Sequence, residues 1–115
     1  MSNPVRKRGA AHPAAPASVF AALGDKWRLR LVTRLCGRSP QSISQLTAGS
    51  RLTRQAITKH LRVLERAGVV RNVRRGRESL FEFQPRPIAE IREYLGLVSA
   101  QWDKALARLK RFVEK

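Results

Sequence analysis

"LTRQAITKHLRVLERAGVV", residues Leu52–Val70, decides how the rest of the chain is read. Ile57, Leu61 and Leu64 recur at i, i+4 and i+7, the spacing that lines one face of an α-helix, so they must point inward. Thr53 stands just before this run, with a hydroxyl able to accept from the first free backbone N–H groups. Gly68 supplies the stop. The helix predicted over residues 53–67 leaves Arg54, Gln55, Thr58, Lys59 and Arg62 facing outward. Between Arg51 and Arg77 only Glu65 is acidic, so this outward face suits a polyanion.

Working outward, "AGSR" makes a turn in front of that helix. "SPQSISQLTAGS" holds Ser42 three residues before Gln45, a capping-box pattern that opens a helix of about two turns with Ile43 and Leu46 inward. Further upstream, Trp27, Leu31 and Leu35 recur at i, i+4 and i+8, with Leu29, Val32 and Cys36 nearby. Asp25 is placed to cap that helix and Gly37 to end it. Lys26, Arg28, Arg30 and Arg34 remain polar, to hold phosphates or form a solvated face. A first short helix from Ser18 carries Val19, Phe20 and Leu23 and ends at Gly24.

Downstream of Gly68 the period changes from helical to alternating. "VVRNVRRGRESLFEF" pairs Val70 and Val73 with Leu80 and Phe83 or Phe81 around a turn at Arg75-Gly76, a β-hairpin with an arginine-rich tip. Pro85 and Pro87 close its second strand. From Ile88 onward, Ile91, Leu95, Val98, Trp102, Leu106, Leu109 and Phe112 recur every three or four residues. A helix of ~25 residues runs ~37 Å, longer than a small domain needs for its own packing, so part of the stripe should meet another chain. The expected fold is mainly α (α+β): a winged helix-turn-helix, with helices, one β-hairpin wing and a long C-terminal dimerisation helix.

Composition agrees with one domain. At 115 residues and 43% hydrophobic content the chain suits a single modest core over residues 16–115. Residues 1–15, rich in Ala, Pro, Gly and Arg, read as a disordered basic arm. The 24 Lys+Arg against 8 Asp+Glu give a net charge of +16, far more than solubility requires, and nucleic acid is the first candidate partner. The opening segment lacks the apolar stretch of a secretory signal, and no run of ~18 apolar residues exists to span a membrane. A cytoplasmic protein without a membrane partner is expected. The single cysteine, Cys36, forms no disulfide within the chain and reads as a buried small hydrophobe; a redox role would need a neighbouring arginine to activate it. No paired acids, phosphate-binding glycine loop or nucleophile with an adjacent base is present, so no catalytic residues are assigned and an enzyme is not expected.

The major groove of B-DNA admits one α-helix, whose N-terminal outward residues reach base edges. Arg54, Gln55, Thr58 and Lys59 occupy that end and are assigned to base reading. Arg pairs with guanine, Gln with adenine, and Thr offers a hydroxyl and a methyl. Arg38 and Arg51 flank the motif as phosphate partners, and Thr53 joins them as a backbone contact. Arg74, Arg75 and Arg77 at the wing can enter the minor groove or hold phosphates. His60 can donate to a phosphate, sense pH, or complete the helix surface.

"VFAALGDKWRLRLVTRLC" followed by "SISQLTAGSRLTRQAITKHLRVLERAGVVRNVRRGRESLFEF" resembles the ArsR family of bacterial winged-helix repressors, from about Ser18 to the end. The resemblance implies a homodimer joined through the first and last helices, hence through Phe20, Leu23, Leu95, Val98, Trp102, Leu106 and Leu109. It implies repression at a palindromic operator read by the helix at 53–67 and the wing at 69–84. It gives His60 and Arg62 as backbone contacts, and Arg75 and Arg77 as wing contacts. Many members of that family sense metals through paired cysteines before the recognition helix, or through Asp, His and Glu on the last helix. Here "SISQLTAG" has no cysteine and the last helix no histidine, while Cys36, His12 and His60 lie far apart, so neither metal nor cofactor is expected. Two other classes compete: a nonspecific architectural protein drawn to DNA by charge alone, and a winged-helix protein-interaction module using its last helix.

Overall fold

The computed structural model describes residues 15–114. The expected arm at 1–15 lies outside them except for Ala15, the first residue of a helix. In chain order the elements are α1 (Ala15–Leu23), α2 (Lys26–Leu35), β1 (Gln41–Ser42), α3 (Ile43–Thr47), α4 (Arg54–Arg66), β2 (Val70–Arg75), β3 (Glu78–Phe83) and α5 (Pro85–Glu114).

Each helix start follows local chemistry. The Asp25 carboxylate accepts from the backbone N–H groups of Trp27 (2.9 Å) and Arg28 (3.1 Å), capping α2. Ser42 and Gln45 form the reciprocal capping box of α3, and the Thr53 hydroxyl accepts from the Ala56 N–H at the start of α4. At the far end of α4, Gly68 takes φ +79°, its N–H bonding Glu65 O while that of Val69 bonds Leu64 O. This pair satisfies two carbonyls that the helix end would orphan.

The Asp25 bonds make a pH-dependent cap. The Arg28 backbone N–H, with that of Trp27, holds the Asp25 carboxyl below its ordinary value; partial burial opposes this, and His60 and the Arg28 guanidinium add attraction. A depressed folded-state pKa contributes stability above the unfolded value, lost as pH falls through the folded one. Asp25→Ala is therefore expected to lower the melting temperature at about pH 7, with the gap to the parent closing below about pH 4, the ordinary carboxylate range. A gap that stayed constant with pH would show that the charged cap is not what α2 loses.

Ile57, Leu61 and Leu64 point inward as their spacing requires. They share one core with Leu31 and Leu35 of α2, Leu46 of α3, Val69 and Val70, Phe81, Ile91 of α5, and Val19 and Ala22 of α1. The wing register sets Val70 opposite Phe83 and Val73 opposite Leu80. Its two connecting residues are Gly76 and Arg77, one position later than the sequence suggested. Gly76 has φ +62°, as the first central residue of a type II′ hairpin turn requires.

Several expectations change. The sheet has three strands in the order β1-β3-β2, with Gln41 opposite Phe81 and Ser42 opposite Leu80; a two-residue strand is too short to show a period. Helix α3 is five residues, shorter than two turns. Pro85 and Pro87 do end β3, but they also open α5, where a first-turn proline loses no helical hydrogen bond, giving 30 residues instead of about 25. Cys36 is exposed, not buried. Helix α2 stops at Leu35, and the extended Cys36 backbone (φ −66°, ψ 125°) carries its side chain off the apolar stripe.

Candidate nucleic-acid interface

The helix-turn-helix consists of α3, the turn through Gly49 and Ser50, and α4. Two ties hold this unit together. Arg34 of α2 donates to the carbonyls of Leu46 (2.8 Å) and Gln45 (3.0 Å) at the C-terminal end of α3. The Ser50 hydroxyl accepts from the Leu52 N–H inside the turn. These bonds tie α3 to α2 and brace the turn into α4, along which Arg54, Gln55, Lys59 and Arg62 are exposed.

The N-terminal end of α4 meets the wing. One open groove of about 350 Å³ is lined by Ser42, Ser44 and Arg54 on the helical side and by Arg77, Glu78 and Ser79 on the wing side. Folding thus brings Arg54 and Arg77, distant in sequence, to walls of the same groove. Arg74 and Arg75 are exposed near the hairpin tip, and Arg38, Arg51 and Thr53 are exposed in the loops before α3 and α4.

Other candidates take internal partners. Arg54 donates to the Ser44 hydroxyl at 2.8 Å, so its guanidinium is oriented over the groove at the cost of one donor. The Thr58 hydroxyl donates to the Arg54 carbonyl at 2.8 Å, leaving its oxygen free to accept. His60 is turned away from the outward face. Its Nδ1 lies 3.3 Å from an Arg28 guanidinium nitrogen and 3.9 Å from the Asp25 carboxylate. The same Arg28 donates to the carbonyls of Ala22 (2.6 Å) and Ala21 (3.4 Å), tying the end of α1 to α2 and α4. Arg71 pairs with Glu82 across the wing at 2.6 Å. The Arg54–Ser44, Arg28–His60 and Arg71–Glu82 ties had no local signal, because their partners lie 10 or more residues apart.

The apolar stripe of α5 leaves the body. Beyond Ile91 no residue of this helix is buried, and Trp102, Leu106 and Leu109 are 63%, 54% and 56% exposed. Phe20 of α1 is also exposed and meets Tyr94 edge to face, with ring centroids 6.3 Å apart; Leu23 and Val98 are half-buried.

Comparison with known proteins agrees with this geometry. A helix-turn-helix domain family matches residues 23–73. YuzN of Bacillus subtilis (strain 168), an uncharacterized HTH-type transcriptional regulator, is 35% identical over 80 residues, 64% of this chain and 87% of that protein. The solved structure of an ArsR-like transcriptional regulator from Rhodococcus sp. RHA1 superposes with a TM-score of 0.77 and 39% identity, covering 86% of this chain and 92% of that one. The chain belongs to the ArsR family.

ArsR-family chains are DNA-binding transcriptional regulators, not enzymes. The ArsR-type winged fold recurs at low identity: the homodimeric winged helix-turn-helix DNA-binding domain Mb0332 from Mycobacterium bovis superposes with a TM-score of 0.63 at 18% identity, over 91% of this chain and 93% of that fragment. Among the described residues of this ArsR-family chain, no group of three or more His, Cys, Asp and Glu side chains could hold a metal ion, and no helix is long and apolar enough to cross a membrane.

Proposed function

We propose that the protein is a homodimeric repressor that reads a palindromic operator through α4 and the wing, in the bacterial cytoplasm and without a bound metal. The observation that carries this reading is the groove shared by Arg54 and Arg77, which sets a cation from the N-terminal end of α4 and one from the wing on the same surface, with Glu78 and serines between them. Arg54, Gln55, Thr58 and Lys59 read bases. Arg38, Arg51, Thr53 and Arg62 hold phosphates, and Arg74, Arg75 and Arg77 extend the contact along the duplex. His60 acts on the backbone contacts indirectly, through its place beside Arg28 and Asp25. Phe20, Leu23, Leu95, Val98, Trp102, Leu106 and Leu109 form the dimer interface. Homodimerisation is supported by the exposed stripe of α5 and by the homodimeric state of the Mycobacterium bovis neighbour.

The decisive experiment titrates the protein against its own upstream promoter fragment and a random duplex of equal length across a salt series. A preference of ~10³-fold or more near physiological salt supports operator reading. Equal affinities falling together with salt would replace it with the architectural reading that the net charge of +16 favours.

Substitutions separate the two kinds of contact. Arg54→Ala and Gln55→Ala are each expected to cost ~1–3 kcal/mol on the operator and to relax preference at one base position. Arg75→Ala is expected to weaken every duplex alike and to reduce the salt slope by about one unit. Equal losses on operator and random duplex for all three would remove the base-reading assignment.

A further inference from the structure

Between α2 and the helix-turn-helix turn lies a half-enclosed cavity of about 290 Å³ to which the DNA-reading proposal gives no role. Its floor is apolar, formed by Leu31, Leu52 and Ile57, and Trp27 makes one wall. A cavity of ~150 Å³ is enough to hold benzene. This one therefore has room for a single ring with a short chain, or for a short aliphatic chain.

The remaining lining is Leu46, Gly49, Ser50 and three arginines. Arg30, Arg34 and Arg51 line the cavity, and no acidic residue does. Arg34 is immobilised by its bonds to the Leu46 and Gln45 carbonyls, and Arg30 stacks over the Trp27 ring at 4.9 Å. Guanidinium forks match a carboxylate in two parallel hydrogen bonds. An apolar floor beside Arg34, held in place, and the exposed Arg30 and Arg51 selects a molecule with one apolar and one anionic end. Inorganic phosphate would leave the floor unfilled, and a neutral hydrocarbon would leave the arginines unmatched.

We propose that this cavity binds an amphipathic monocarboxylate of one aromatic ring or a short aliphatic chain, and that occupancy weakens DNA binding. The regulatory half rests on the proposed function. Leu52 belongs to the turn and Ile57 to α4, so a ligand between them and α2 shifts the helix that enters the groove. Its carboxylate also neutralises Arg51, a proposed phosphate contact. By linkage, DNA lowers the ligand's affinity by the same factor.

The test uses the full chain and phenylpropionate as probe, with phenylpropionamide as its uncharged match. Tryptophan emission is expected to change saturably, with one probe per chain. The change should vanish in Trp27→Phe, in which Trp102 still reports any binding along α5. Affinity should fall about tenfold or more for the amide and in Arg30→Ala, an exposed position where folding is not at risk. No saturable change, a change that persists in Trp27→Phe, or equal binding of acid and amide would overturn the site. Saturating phenylpropionate should then raise the operator Kd about fivefold or more. An unchanged Kd overturns the regulatory half and leaves the site standing. Absence of operator preference with or without the probe counts against the DNA-reading proposal, while the emission titration judges the cavity separately.

Discussion

Leu106→Glu is expected to turn the proposed dimer into a monomer and to weaken binding to the proposed operator by about 10²–10⁴-fold, the loss that follows when two linked half-site contacts become independent. Leu106 is 54% exposed on a helix in which no residue beyond Ile91 is fully buried. A helix of 30 residues is about 45 Å long, and an isolated helix gains little stability in water without a packed face. A second copy of α5 supplies that face most simply, since a two-fold axis sets the same stripe against itself. A glutamate there would be buried without a partner, which the interface cannot compensate. Sedimentation gives the oligomeric state, and the operator titration gives the consequence for half-sites ~34 Å apart. Nonspecific affinity per chain should change far less. A monomeric variant with undiminished operator affinity would remove the dimer from the mechanism.

Leu61→Ala is expected to destabilise the fold by about 2–5 kcal/mol, a large share of the 5–15 kcal/mol that holds a typical domain together. Leu61 is completely buried on the inward face of α4, within the core shared by α2, α3, the wing and α5. Neighbours tied on several sides cannot collapse into the vacated volume, so the cost should exceed that of the lost transfer free energy alone. Urea unfolding at fixed protein concentration, needed because dissociation of the proposed dimer would shift the apparent midpoint, reads the difference. A loss below about 1 kcal/mol would mean that the core relaxes around the gap and that α4 is held mainly by its polar ties.

Much of the fold was legible because its signals are local. The caps at Asp25, Ser42 and Thr53 act within three residues of themselves. The inward faces of α4 and α5 follow from side chains three and four residues apart, and the wing from an alternation closed by a turn at glycine. β1 escaped because two residues carry no period. Cys36 escaped because the helical pattern was extended one residue past the point where the backbone leaves it.

The candidate site was legible only in part. Periodicity separated the inward from the outward residues of α4, but it did not distinguish a cation free to meet DNA from one already engaged. Arg28 bonds His60, 32 residues away, and Arg34 bonds Leu46, 12 residues away. A long guanidinium side chain reaches partners that sequence spacing does not reveal. His60 likewise sits beside Lys59 in the chain yet turns toward Arg28 and Asp25.

The order of elements, their caps and the apolar stripes that form the core and leave α5 half-unpacked are consequences of interactions across a few residues, and the chain alone specifies them. Tertiary packing decided which arginines became internal ties, that Arg54 and Arg77 share a groove, and that a cavity opens behind the turn. Those features depend on where separate helices come to rest against one another, a balance of packing and reach that no local pattern encodes.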